Sequence, residues 1–137
     1  MNGQLAAAMA AEVAAIYAYG ILGVHLGAAT QVNEARAAET AHRGRRDYLL
    51  GKMDQPLAAP GGYDLPFPVT DPASALKLAV HVEDGVAQSW RPVLGVSQGA
   101  DRATALAALT DAAVRAVRWR RMAAMSPATM AYPGQAS

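Results

Sequence analysis

Residues 38–47 read Ala-Glu-Thr-Ala-His-Arg-Gly-Arg-Arg-Asp, and within them Glu39 and His42 stand three apart. On a helix that spacing puts a carboxylate and an imidazole on one face, the unit from which helical bundles assemble two-metal carboxylate sites. A complete site of this kind needs a carboxylate from each of two helices and a Glu-x-x-His pair from each of two others. Glu12 and Glu83 are placed to supply the single carboxylates. The chemistry in prospect is iron or manganese binding, with oxidase or iron-handling activity. The competing prospect is a buried polar network in which a guanidinium stands where a metal would.

Those side chains need helices to hold them, and the chain supplies four long helical segments. The first runs over about 3–28 and the second over about 31–53. The third opens at Asp71-Pro72, an N-cap followed by a proline at the first helical position. It continues to about 97 with Pro92 inside it, where a kink is expected. The fourth follows Gly99, with Asp101 as its cap, and runs to about 125. Residues 126–137 read as a loose tail. No strand-like alternation and no internal repeat are present.

Link lengths set the topology. The breaks near 29–31 and 98–101 are short, so they predict two antiparallel helical hairpins. The link over about 54–71 is long and carries Leu65-Pro66-Phe67-Pro68, which favours an extended conformation. It can span about 55 Å at ~3.3 Å per residue, against about 35 Å for a helix of this size at ~1.5 Å per residue. The link can therefore run the length of the bundle as a single crossover, and Tyr63, Leu65, Phe67 and Val69 predict that it packs down.

Periodicity assigns the faces. The first helix has a stripe at Leu5, Glu12, Ile16, Tyr19, Gly23 and Leu26. The second has Val32, Ala35, Glu39, His42, Arg46, Leu49 and Met53, and the third has Leu76, Val80, Glu83, Ala87, Trp90 and Leu94. Lys77, His81, Asp84 and Gln88 fall on the third helix's outer face. Three helices thus each carry a carboxylate mid-stripe. Burying a carboxylate is costly unless it is paired or metal-bound. The expected polar core is Glu12, Tyr19, Glu39, His42, Arg46 and Glu83. Arg46, one turn beyond His42, supplies the positive charge, with Arg45 as a second candidate. Within this core the metal-ligand set is Glu12, Glu39, His42 and Glu83. On the fourth helix the apolar stripe is Leu106, Leu109, Ala113 and Val117, which turns Asp111, Arg115 and Arg118 away from the core.

Bulk properties narrow the function classes. The 137 residues make one domain with a substantial core. Hydrophobic residues are 53% and charged residues 17%, which excludes a disordered chain. About a quarter of the residues are Ala and there is one Phe, which suits close helix packing. With no cysteine, disulfides, thiolate catalysis and Cys-ligated zinc drop out. A net charge of +1 argues against nucleic acid as partner, despite Arg clusters at 43–46 and 115–121. The first 29 residues carry one formal charge, Glu12, yet the first basic residue is Arg36. A signal peptide needs an early basic residue and a membrane span would bury Glu12 in lipid. The expectation is a core helix of a cytoplasmic protein, with no membrane partner.

The stretches "AAEVAAIYAYG" (10–20), "AHRGRRD" (41–47), "YDLPFPVTDPASA" (63–75), "VEDGVAQSWR" (82–91) and "LTDAAVRAVRWR" (109–120) resemble a small ferritin-like domain family of unknown function from high-GC actinobacteria. The resemblance covers all four helices and the crossover. It implies a ferritin-like four-helix bundle over 1–125 and no assigned activity. It also aligns Glu12, Glu39, His42 and Glu83 with di-iron ligand positions, and Asp111 and Val114 with a second Glu-x-x-His that lacks its His. The resulting expectation is a degenerate di-metal site replaced by a polar core, no cofactor, and a non-catalytic role through association, as a homodimer through Ala-rich helix faces. A metal-dependent oxidase or iron handler is the alternative, and a small-ligand binder at one bundle end is the third. Tyr17, Tyr19 and Trp90 read as core rather than as a pocket, and His25 and His81 as uninvolved.

Overall fold

The computed structural model describes residues 3–53 and 63–136. Four helices carry it: α1 (Gly3–Leu22), α2 (Ala29–Leu50), α3 (Pro72–Trp90) and α4 (Gly99–Met122). Short 3-10 turns, Gly23–His25 and Arg91–Val96, follow α1 and α3. There is no strand among the described residues.

The start of α3 is fixed as its sequence demands. Asp71 accepts the Ser74 backbone N–H at 2.8 Å, the Ser74 side chain accepts the Asp71 backbone N–H, and Pro72 sits at the first helical position. Pro92 ends the α-helix rather than kinking it. A proline has no N–H for the carbonyl one turn back, so the chain tightens into the 3-10 turn that begins at Arg91. Asp101 is not the cap of α4. Gln98 occupies the cap position without a side-chain bond, and Asp101 lies inside the first turn.

Cross-helix pairs give the arrangement. Glu12 meets Trp90 while Tyr19 meets Glu83, so α1 and α3 run antiparallel. Tyr48 meets Asp101 while Arg118 meets Glu34, so α2 and α4 do the same. The short links make α1 antiparallel to α2 and α3 antiparallel to α4. Close packing joins α1 to α2, α1 to α3 and α3 to α4, with α2 and α4 held further apart. The crossover expected over 54–71 falls partly outside the described residues. In its described part, 63–71, Leu65, Phe67 and Val69 pack on the core and the Tyr63 ring lies 5.1 Å from that of Tyr17.

Two apolar clusters fill the interior. One gathers Leu22, Leu78 and Trp119, the other Met9, Leu49, Trp90 and Val93. Alanines line the tight contacts: Ala8, Ala15, Ala38, Ala79, Ala105, Ala112 and Ala116 are all buried. The α4 stripe is rotated from the expected one. Its buried residues are Ala105, Ala108, Ala112, Arg115, Ala116 and Trp119, whereas Leu106 is 54% exposed and Leu109 and Val117 lie only partly covered. Small side chains let α4 approach α3, and Trp119 then fills the space that bulkier residues would occupy. The tail is not loose throughout. Arg91 donates to the Pro133 carbonyl at 3.2 Å, and Gly134 (φ 80°) is buried against α3 and α4.

Candidate functional site

Between the two apolar clusters lies a chain of polar groups from all four helices. Their placement follows from seam positions. On α1 the buried residues include Ala8, Glu12, Ala15, Tyr19 and Leu22, alternating steps of four and three. Glu12 and Tyr19 therefore both face inward. On α3, Glu83 sits between Val80 and Val86 on the broadest buried face of the protein.

His42 is the centre. Its Nδ1 lies 2.6 Å from Glu12 Oε2 and its Nε2 lies 2.8 Å from Glu83 Oε2. All three side chains are essentially inaccessible. Burial alone pulls the His42 pKa down, but hydrogen bonds and charge from Glu12 and Glu83 outweigh it and raise the pKa to about 9. At neutral pH the ring thus carries both protons and donates to both carboxylates. Trp90 Nε1 donates to Glu12 Oε1 at 2.7 Å. The Tyr19 hydroxyl donates to Glu83 Oε2 and accepts from Trp119 Nε1 at 2.9 Å. Burial, and then the Glu83 charge, holds the Tyr19 pKa well above its ordinary value, so it stays a neutral donor.

The second positive charge is Arg115. It is 5% exposed, with Nη1 3.9 Å from Glu83 Oε1 and 2.8 Å from Asp111 Oδ2. Its Nε lies 3.9 Å from Glu34 Oε1. Sequence reasoning turned Arg115 outward with Asp111, because it followed Leu106 and Leu109. The missed signal is the spacing Ala105, Ala108, Ala112, Arg115, Trp119, a regular three-four alternation that opens on three alanines.

Two expected members lie elsewhere. Glu39 bonds Arg43 one turn on, at 2.9 Å, and Arg46 bonds Asp47 at 3.0 Å with 29% of its side chain exposed. The reason is helical phase. Ala38 and Arg45 lie to one side of His42 on α2 and Glu39 and Arg46 to the other, at ~100° per residue. Ala35, His42 and Leu49 centre the buried face, and Ala38 extends it on one side, where it joins Ala18, Tyr19 and Leu22 of α1 in one cluster.

These donors do not fit a two-metal centre. Both nitrogens of the one inward His are bonded to carboxylates, Glu39 has swung out to Arg43, and Asp111 is taken up by Arg115. Val114, at the position of the missing His, is on the surface. His42 instead lies between Glu12 and Glu83, and Arg115 lies between Glu83 and Asp111. Such a set resists a dication, which would have to displace the imidazolium protons and sit near a guanidinium.

No curated protein matches the chain. The crystal structure of a conserved hypothetical protein, rv2844, from Mycobacterium tuberculosis is similar to it, with 38% sequence identity and a TM-score of 0.78, over 88% of this chain and 95% of that one. A family model described as a domain of unknown function (DUF4439) matches residues 4–137, and the chain belongs to that family.

Proposed function

We propose that this protein is a ferritin-like bundle whose ancestral metal position is filled by an ion-paired polar core, and that it acts without catalysis, by self-association as a cytoplasmic homodimer through the outer face of α1. The antiparallel neighbours around the bundle, with a long link between the second and third helices, support the ferritin-like reading. The sealed Glu12–His42–Glu83–Arg115 set supports a structural role for these side chains, since each is buried.

The single observation that carries the association reading is the character of α1. The stretch Gly3–His25 is long and apolar enough to cross a membrane, yet only 39% of its most apolar window is buried in the protein. Its one charge, Glu12, is locked to His42 and Trp90 in the core. That lock argues for a core helix with an open apolar side rather than a span. The open side presents the small residues Ala6, Ala10 and Gly20, with Tyr17 at its edge against Tyr63 and Val24 exposed in the turn beyond, a surface suited to a symmetric helix-on-helix contact. Sedimentation equilibrium tests this. The expected state is a dimer that Ala10→Glu, at an exposed position of α1, converts to a folded monomer; a wild-type chain that is monomeric at tens of micromolar, on the order of the affinities of weak dimers, would overturn it.

A further inference from the structure

A groove of about 250 Å³ lies between α1 and α3, bounded at one end by the crossover residues Tyr63, Asp64 and Leu65. Ala11 and Ala14 line one side, and Val82 and Gly85 line the other. All four are half-buried, so a ligand can reach them. The lining spans Ala11 to Ala18 on α1 and Leu78 to Ser89 on α3, about 10 to 16 Å at ~1.5 Å per residue. Divided over that length, the volume gives a mean cross-section on the order of 20 Å², the width of a single hydrocarbon chain.

Gly85 keeps the groove open. A glycine inside a helix weakens it relative to alanine, and no close neighbour demands one here, because a Cβ at Gly85 would meet nothing within 4 Å. The missing side chain leaves space between the helices. Ser89, one turn on, donates its hydroxyl back to the Gly85 carbonyl at 2.9 Å. The middle and far end of the groove therefore offer apolar surface with no free side-chain donor.

The crossover end is different. The Tyr17 and Tyr63 rings meet there at 5.1 Å and 50°, and Tyr17 is 40% exposed. Asp64 is exposed and makes no hydrogen bond or ion pair among the described residues. With His81 neutral, it is the only full charge on the lining. His81 lies edge-on to Phe67 at 6.4 Å, and Lys77 sits over the same ring at 4.6 Å without lining the groove. A ligand cation at this end meets a carboxylate and two tyrosine rings. A ligand anion meets the Asp64 charge.

We propose that this groove binds a linear alkylamine, a hydrocarbon chain ending in an ammonium group. An apolar cavity of ~150 Å³ takes the six carbons of benzene, so this volume takes about eight to ten. The chain lies along Ala11, Ala14, Val82 and Gly85, and the ammonium sits beside Asp64 and the Tyr17 and Tyr63 rings. The proposal does not rest on the association reading.

The test is an NMR titration of the full chain with octylamine, octanoate and octanol. The expected result is saturable shifts of the 11–18 and 78–89 amides with octylamine, with octanoate weaker by about tenfold or more. Asp64→Asn lowers octylamine to the level of octanol. Gly85→Leu fills the open space and abolishes binding of all three, while the circular dichroism spectrum is kept and the melting midpoint does not fall, since leucine favours a helix. Ala14→Leu, from the opposite wall, gives the same loss of binding. Absence of saturable shifts with octylamine would overturn the proposal. So would octanoate binding as tightly as octylamine, or octylamine binding that survives both leucine variants.

Discussion

Replacing His42 with Leu removes the one group that two buried carboxylates share. In the native protein His42 donates to Glu12 and Glu83 at 2.6 and 2.8 Å. After the change, Glu12 keeps only Trp90 Nε1, and Glu83 keeps Tyr19 and the more distant Arg115. Breaking one buried ion pair costs about 3–5 kcal/mol. Two carboxylates are stranded here with no access to water, so about 4–5 kcal/mol is expected near pH 7. For a domain of this size that is a fall in Tm of about 10–20 °C. The assay is urea unfolding followed by circular dichroism. Combining His42→Leu with Glu12→Leu and Glu83→Leu should restore much of the stability, since an all-apolar replacement of a buried ionic set is often neutral or better. A loss under about 1 kcal/mol for His42→Leu alone, or a triple variant no better than the single one, would mean that the carboxylates do not depend on the imidazolium.

Three further outcomes rest on the same geometry. Arg115→Leu should cost about 2–4 kcal/mol in urea unfolding, while Arg46→Leu should stay within about 0.5 kcal/mol because Arg46 pairs with its exposed neighbour Asp47; equal costs would count against Arg115 as the buried cation. Stability should fall with rising pH. The His42 pKa is raised when folded, so its contribution is full below the ordinary 6.5 and is lost as pH passes about 9; at about 1.4 kcal/mol per pH unit the loss is on the order of 3 kcal/mol, and a flat unfolding profile from about pH 6 to 9.5 would contradict it. Gly134→Val should release the tail, because a Cβ there would lie 2.9 Å from the Ala87 carbonyl and 3.1 Å from Arg91 Cβ, at a φ of 80°. Faster proteolysis after residue 125 with the helices intact is the expected readout; unchanged protection would mean that the tail docks by other contacts.

How much of this was legible depended on the strength of local signals. Asp71-Pro72 announces a helix start through capping chemistry that needs no tertiary context, and the structure agrees to the residue. Glu12 and Glu83 could be placed inward because each interrupts a long apolar pattern, and His42 because it continues the three-four spacing from Val32 and Ala35 to Leu49. Phase was harder. On α2 the choices Glu39/Arg46 and Ala38/Arg45 both alternate by three and four around His42, and only close packing against α1 selects the alanine side. On α4 the larger residues Leu106 and Leu109 were the wrong guide. In an Ala-rich bundle the seam is marked by the smallest side chains, so size points outward as often as inward. Arg115 was lost with that error. Pro92 was recognised as a disturbance, but whether a proline kinks or ends a helix depends on the packing of the residues after it. The docking of Gly134 has no local signature, since the cavity it fills is built by Ala87, Arg91 and Leu109 from distant parts of the chain.

The protonation state of the His42 ring decides whether an imidazolium or a metal position holds Glu12 and Glu83 together. Nitrogen-15 NMR of labelled protein at about pH 7 reports both ring nitrogens and their protons, far below the raised pKa of about 9. The expected spectrum is that of an imidazolium with both nitrogens protonated, a midpoint near 9, and no change on adding iron(II) or manganese(II). A neutral ring with one bare nitrogen at neutral pH, or one whose signals shift or broaden stoichiometrically with either metal, would contradict the ion-paired core.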